Sequence, residues 1–104
     1  MNLKNKIAIV TGSSRGFGAK IANSLNNYGA KTVITYLEED KDEKLNAELL
    51  AKKIGSDLVV ALDVTKRHSV KNLMKITNEF YGGIDILVNN AGINIVGDFD
   101  KITD

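Results

Sequence analysis

The stretch TGSSRGFG, residues 11–18, follows directly on the apolar run IAIV of residues 7–10. Gly12, Gly16 and Gly18 therefore stand where a strand-like segment has just ended. Glycine takes backbone conformations closed to residues with a Cβ, and it lets another backbone or a ligand approach closely. A helix that starts after such a turn presents unpaired N–H groups and a partial positive charge of roughly +0.5, an anion site before any side chain is considered. On this stretch alone two readings stay open: a tight strand-to-helix turn, or a turn that cradles phosphate. The spacing excludes two phosphate-binding patterns. Gly12 and Gly16 enclose three residues, whereas G-x-G-x-x-G needs other offsets. A P-loop needs a Gly-Lys-Ser/Thr, and here Lys20 follows Ala19 and precedes Ile21.

Outward from the turn, short apolar runs alternate with helical patterns. The runs are KIAIV (6–10), TVITY (32–36), LVVAL (58–62) and IDILV (84–88). All have about strand length, and three are rich in Ile and Val with little polar alternation, which predicts burial on both faces. Between them, apolar residues recur at helical spacing in three groups: Ile21, Ala22, Leu25 and Tyr28; Ala47, Leu50, Ala51 and Ile54; Val70, Leu73, Met74, Thr77 and Tyr81. These stop at Gly29, Gly55 and Gly82, each a candidate C-cap. Thr65 is the expected N-cap of the third helix, with His68 three positions later. The order β-α-β-α-β-α-β, with doubly buried strands, predicts the first part of an α/β doubly wound parallel sheet.

Composition narrows the classes of function. A chain of 104 residues makes one domain, and 43% hydrophobic with 26% charged residues is ordinary for a globular one. The formal net charge of +1 supplies no field for nucleic acid or for a membrane surface. There is no cysteine, hence neither a disulfide framework nor a thiolate metal site. The apolar run at the N-terminus is too short for a signal-peptide core or a membrane span, so a cytoplasmic protein is expected.

Three motifs in order resemble the short-chain dehydrogenase/reductases, in particular the 3-oxoacyl-carrier-protein reductase-like branch. TGSSRGFG matches that family's T-G-x-x-x-G-x-G; LDVT (62–65) stands at the end of the third run, and NNAG (89–92) follows the fourth. Each lies at a strand's carboxyl end, where open α/β sheets bind ligands. The resemblance covers essentially the whole chain and implies a Rossmann-type NAD(P)-binding domain over residues 1–104, incomplete at its C-terminal side.

By that resemblance Gly12, Ser13, Ser14, Arg15, Gly16, Phe17 and Gly18 surround the cofactor's pyrophosphate and adenosine ribose. Asp63 accepts from the adenine amino group, Val64 adds a backbone contact, and Asn90, Ala91 and Gly92 meet the cofactor along the ribose path. Simpler readings stand beside these: Asp63 as a turn or cap residue, Asn89 and Asn90 as an Asn-rich turn. Cofactor choice turns on the end of the second run. NAD-preferring members carry an acid there for the ribose hydroxyls. Here the matching residue is Tyr36, followed by Leu37, and Arg15 offers a guanidinium to a 2′-phosphate. The expected cofactor is NADP, with NAD the alternative, because Glu38, Glu39 and Asp40 follow closely and a small shift of register brings an acid to the ribose. Arg15 as a solvated loop charge also stays open.

The family moves a hydride between nicotinamide and a carbonyl or alcohol, reducing for example a 3-oxoacyl thioester. It uses a Tyr as acid/base, a Lys four residues later that lowers the Tyr pKa, and a Ser and an Asn. None of these is found here. Tyr28 is followed four on by Thr32, Tyr36 by Asp40 and Tyr81 by Asp85. A tyrosine near pKa 10 is a poor base without a neighbouring cation. Tyr28 and Tyr81 are expected to pack in helices, and His68 to be an exposed helix-start residue. No catalytic or metal-binding residue is assigned, and the expectation is a cofactor-binding part without turnover, or a non-catalytic dinucleotide-binding or interaction module. The complete family fold implies a homo-oligomer. The fourth strand is expected to lack its outer neighbour and to expose an edge through which the chain self-associates.

Overall fold

In the computed structural model the described residues are 2–13 and 16–89, together with the backbone of Gly92–Ile95. The elements are β1 (Ile7–Val10), α1 (Gly16–Asn27), β2 (Lys31–Tyr36), α2 (Lys41–Ile54), β3 (Val59–Ala61), α3 (Arg67–Tyr81), β4 (Ile86–Asn89) and β5 (Gly92–Ile95). The sheet order is β3-β2-β1-β4-β5. The first four strands are parallel, in registers that run Ile7↔Lys31 to Val10↔Ile34, Ala8↔Ile86 to Val10↔Val88, and Ile34↔Val59 to Tyr36↔Ala61. The chain goes outward from β1 through β2 to β3, then crosses to the other side of β1 for β4. The turn after β1 therefore lies at the point where the strand order reverses, the place where doubly wound sheets open a ligand crevice.

β1 and the middle of β2 are buried on both faces because helices cover both sides, whereas β3 and β4 are half-buried apart from Val60 and Val88. Val10 and Ile34 face α1 and α2 and pack with Ala22, Ala47, Ala51 and Ile54. Their neighbours Ile9 and Val33 point the other way, into a second cluster with Val60, Leu62 and Leu73, as the two-residue period of a strand requires. Gly55 and Gly82 end α2 and α3 in the left-handed region, at φ 75° and 82°, as expected of C-cap glycines.

Four sequence expectations are corrected. β4 does not present an open outer edge: β5 pairs with it antiparallel from Ile86↔Ile95 to Asn89↔Gly92, so self-association through that edge loses its basis. The chain doubling back satisfies the N–H and C=O groups that an edge strand leaves unpaired. Thr65 is not the N-cap of α3. Lys66 holds that position without a side-chain hydrogen bond, because the Thr65 hydroxyl is spent on Asp63 at 2.6 Å. Tyr28 lies beyond the end of α1 and is 47% exposed, while its carbonyl accepts from the Leu3 N–H at 2.7 Å. β3 is three residues long, shorter than its apolar run.

α2 has an N-cap that its apolar spacing does not reveal. The Asp40 carboxylate accepts from the N–H groups of Asp42 and Glu43, each at 3.0 Å. Asp40 followed three residues later by Glu43 is the sequence signal that finds it.

Candidate dinucleotide cleft

The carboxyl ends of the parallel strands enclose a cleft of about 820 Å³. Thr11 and Gly12 enter it from β1, Tyr36 and Leu37 from β2, Asp63 and Val64 from β3, and Asn89 from β4, with Met74 of α3 at one side. Among the sequence-assigned residues, Gly12, Tyr36, Asp63 and Val64 are thus brought together. Ser14, Arg15, Asn90 and Ala91 lie outside the described residues. Gly92 opens β5 opposite Asn89.

The glycine turn has the conformation and the crowding that its composition suggests. Gly12 and Gly16 sit at φ 64° and 63°, in the left-handed region that disfavours a side chain. At Gly16 an added Cβ would meet nothing within 4 Å, so the restriction there is conformational and the space beside it is open. Gly18 is restricted by space. A Cβ there would collide with the Gly12 carbonyl oxygen and lie 2.7 Å from the Gly12 carbonyl carbon and 2.9 Å from Ser13 Cα. Its absence lets the first turn of α1 lie on the turn before it. Phe17, in that same helical turn, is 83% exposed.

Around these glycines the backbone is tied to the sheet. The Thr11 N–H donates to the Val88 carbonyl at 2.9 Å, which joins β1 to β4 at the reversal point. The Gly12 N–H donates to Thr35 Oγ1 at 3.1 Å, and the Thr35 hydroxyl donates to the Val10 carbonyl at 2.9 Å. The Thr35 N–H in turn donates to Ser13 Oγ at 2.8 Å. Ser13 and Thr35 are both fully buried, so the Ser13 side chain faces the sheet and not the cleft. Sequence reading missed Thr35. The signal was a polar residue in a buried strand, which must find partners.

Asp63 lines the cleft just beyond β3. Its carboxylate Oδ1 accepts from the Thr65 N–H at 3.0 Å and from the Thr65 hydroxyl at 2.6 Å, a local turn. The Thr65 hydroxyl, then the Thr65 N–H, hold its pKa below the usual carboxylate value, with help from Lys66 and His68. Lys66 Nζ stands 3.8 Å from Asp63 Oδ2 and 4.0 Å from Glu39 Oε1, an exposed pair of contacts joining the loops after β2 and β3. Glu39 and Glu43 also line the cleft, two carboxylates for which the turn motif gives no sign.

The dinucleotide fits these residues on the structure's own terms: a turn with two left-handed glycines, a third that a Cβ would block, and a wide cleft beside it. Tyr81 is half-buried, and burial, then the nearby Asp57 carboxylate, raise its pKa, the direction opposite to that needed for a phenolate base. Among the described residues no group of three or more His, Asp or Glu could hold a metal. Among them, too, no helix is long and apolar enough to cross a membrane.

Comparison with known proteins agrees with this geometry. The short chain dehydrogenase family model matches residues 6–104. An uncharacterized oxidoreductase of Thermotoga maritima is 41% identical over 92 residues, 88% of this chain and 35% of the relative. The 3-oxoacyl-[acyl-carrier-protein] reductase of Vibrio cholerae is 42% identical over 94 residues, 89% of this chain and 36% of that protein. A short chain dehydrogenase from Burkholderia cenocepacia, solved in complex with NADP, superposes with a TM-score of 0.69 at 37% identity, covering 99% of this chain and 42% of the other. A putative dehydrogenase from the same species with bound NADP gives 0.75 at 27% identity over 85% of this chain and 34% of the other. The chain thus spans between 34% and 42% of the length of these proteins. Its strand order, its glycine turn and this match place it together: the chain belongs to the short chain dehydrogenase family.

Proposed function

We propose that these 104 residues supply the dinucleotide-holding domain of an NADP(H)-dependent oxidoreductase that reduces a carbonyl, such as a 3-oxoacyl thioester, to an alcohol. The observation that carries this reading is the packing of Gly18 on Gly12 beside the left-handed Gly16, in a turn whose Gly12 lines the cleft. Gly12 to Gly18 hold the pyrophosphate, and Tyr36, Asp63 and Val64 line the adenosine end. Asn90, Ala91 and Gly92 take the ribose path. When bound, NADP(H) supplies the hydride. The 3-oxoacyl substrate rests on likeness to the Vibrio cholerae reductase, and a cytoplasmic homo-oligomer on the family.

Two features support NADP over NAD: β2 ends on Tyr36, followed by Leu37, with no acid at either position, and NADP is the ligand in both Burkholderia cenocepacia structures. Titration of the chain with NADPH and NADH, before and after Arg15→Ala, tests this. The substitution is expected to weaken NADPH binding by about tenfold, close to 1.4 kcal/mol, and NADH binding much less. Equal losses for the two dinucleotides count against NADP.

A second reading follows from the tyrosines. None of Tyr28, Tyr36 and Tyr81 has a lysine four residues on, so these residues alone are proposed to bind the dinucleotide without turning it over. Steady oxidation of NADPH by the 104-residue chain with a carbonyl substrate would overturn that.

A further inference from the structure

Thr35 lies on β2, outside the glycine motif, yet it makes the hydrogen bonds that hold that motif's first glycine. The last β1–β2 pair of the ladder is Val10↔Ile34; beyond it β1 leaves the sheet and becomes the turn. At that departure the Thr35 hydroxyl acts in both directions. It accepts from the Gly12 N–H at 3.1 Å and donates to the Val10 carbonyl at 2.9 Å, thereby bridging the residues on either side of Thr11. Ser13 closes the ring from the other side, accepting the Thr35 N–H at 2.8 Å and donating to the Thr35 carbonyl at 3.5 Å. Both side chains are fully buried, so no water replaces a lost partner without rearrangement.

We infer that Thr35 and Ser13 are positioning residues for dinucleotide binding, setting the backbone of Gly12 and with it the seat of α1 on the turn. The inference rests on the proposed function. It differs from a general stabilising role because of where the ties fall. The Gly12 carbonyl that they orient is the group against which Gly18 packs, and Gly18 belongs to the first turn of α1. A valine at position 35 keeps the shape but neither accepts nor donates, so the Gly12 N–H is freed to turn and α1 loses its fixed seat. A serine keeps both hydrogen bonds.

Ser56 provides the internal control. Its hydroxyl also ties backbone, donating to the Thr32 carbonyl at 2.5 Å and accepting from the Leu58 N–H at 3.4 Å, but at the end of β2 away from the cleft. The experiment measures NADPH and NADH dissociation constants and unfolding midpoints for the 104-residue chain and for Thr35→Val, Thr35→Ser, Ser13→Ala and Ser56→Ala. Thr35→Val and Ser13→Ala are expected to weaken binding by about tenfold or more, and Thr35→Ser to stay within about threefold of the unsubstituted chain. Ser56→Ala is expected to lower the midpoint while leaving affinity unchanged. If Thr35→Val does not fold, Ser13→Ala against Ser56→Ala decides the matter. Unchanged affinity in folded Thr35→Val or Ser13→Ala, or an equal loss in Ser56→Ala, overturns the inference alone. Binding of neither dinucleotide by the unsubstituted chain overturns the proposed function and the inference together.

Discussion

The Gly12 carbonyl occupies the space that a side chain on Gly18 would need, so that the third glycine of the turn is required by the first. Alanine is the better helix former by about 1 kcal/mol, and on propensity alone Gly18→Ala in α1 would stabilise the chain. The collision is with backbone, which cannot swing aside, and overpacking of this kind costs about 1–3 kcal/mol. Gly18→Ala is therefore expected to lower the unfolding midpoint and to weaken dinucleotide binding. Gly83→Ala, whose added Cβ meets nothing within 4 Å, is expected to change neither appreciably. A thermally stabilised Gly18→Ala would show that the collision is relieved at no cost.

The N-cap of α2 isolates a local contribution. Asp40 accepts from two of the four N–H groups that the start of a helix leaves unpaired. Asp40→Ala is expected to cost about 1 kcal/mol of unfolding free energy. Asp40→Asn or Asp40→Ser, which keep an acceptor, should recover most of it in denaturant titrations.

Asp63 makes stability depend on pH on the acid side. Its folded-state pKa is lowered, chiefly by the Thr65 hydroxyl. The stabilisation is thus fully present above the unfolded value of about 3.9 and is lost as pH falls through the lowered folded value. Asp63→Asn should unfold at a lower temperature than the unsubstituted chain near neutral pH. The difference should shrink on acidification below about pH 3.9. A difference that persists at the lowest accessible pH would mean that the charge is not the cause.

Glu39 is the place to test the electrostatics of cofactor choice. It lines the cleft, with its Oε1 4.0 Å from Lys66 Nζ. Removing its charge with Glu39→Gln takes away one repulsion for a 2′-phosphate and frees Lys66 from one partner. The ratio of NADPH to NADH affinity is expected to rise by roughly two- to tenfold, a change on the scale of exposed charge interactions, and to fall back with added salt. A ratio that does not move would place the 2′-phosphate away from this rim.

Much of the fold was legible because its signals are local. The runs around Ile9, Ile34 and Val88 read as buried strands, and Gly55 and Gly82 read as helix ends, since a strand's burial and a C-cap's left-handed φ each leave a mark on adjacent residues. Thr65 was misplaced for the same reason. Its cap signal was real, but the Asp63 carboxylate competed for the hydroxyl. β5 escaped notice because GINI has no strand-length apolar run, and what pairs it with β4 is an edge supplied by residues of another strand.

Sequence by itself determined the order of the first four strands and the three helices, the family, and the position of a glycine turn after the first strand, all carried by the spacing of residues close together in the chain. Tertiary structure decided which groups hold that turn. The Gly12 N–H meets Thr35, and Thr35 meets Ser13, across separations of 23 and 22 residues. The Cβ excluded at Gly18 is excluded by an atom that only folding brings near. Hydrogen bonding and steric exclusion act over a few ångströms of space, and no spacing within either segment encodes which residue of the neighbouring strand will stand there.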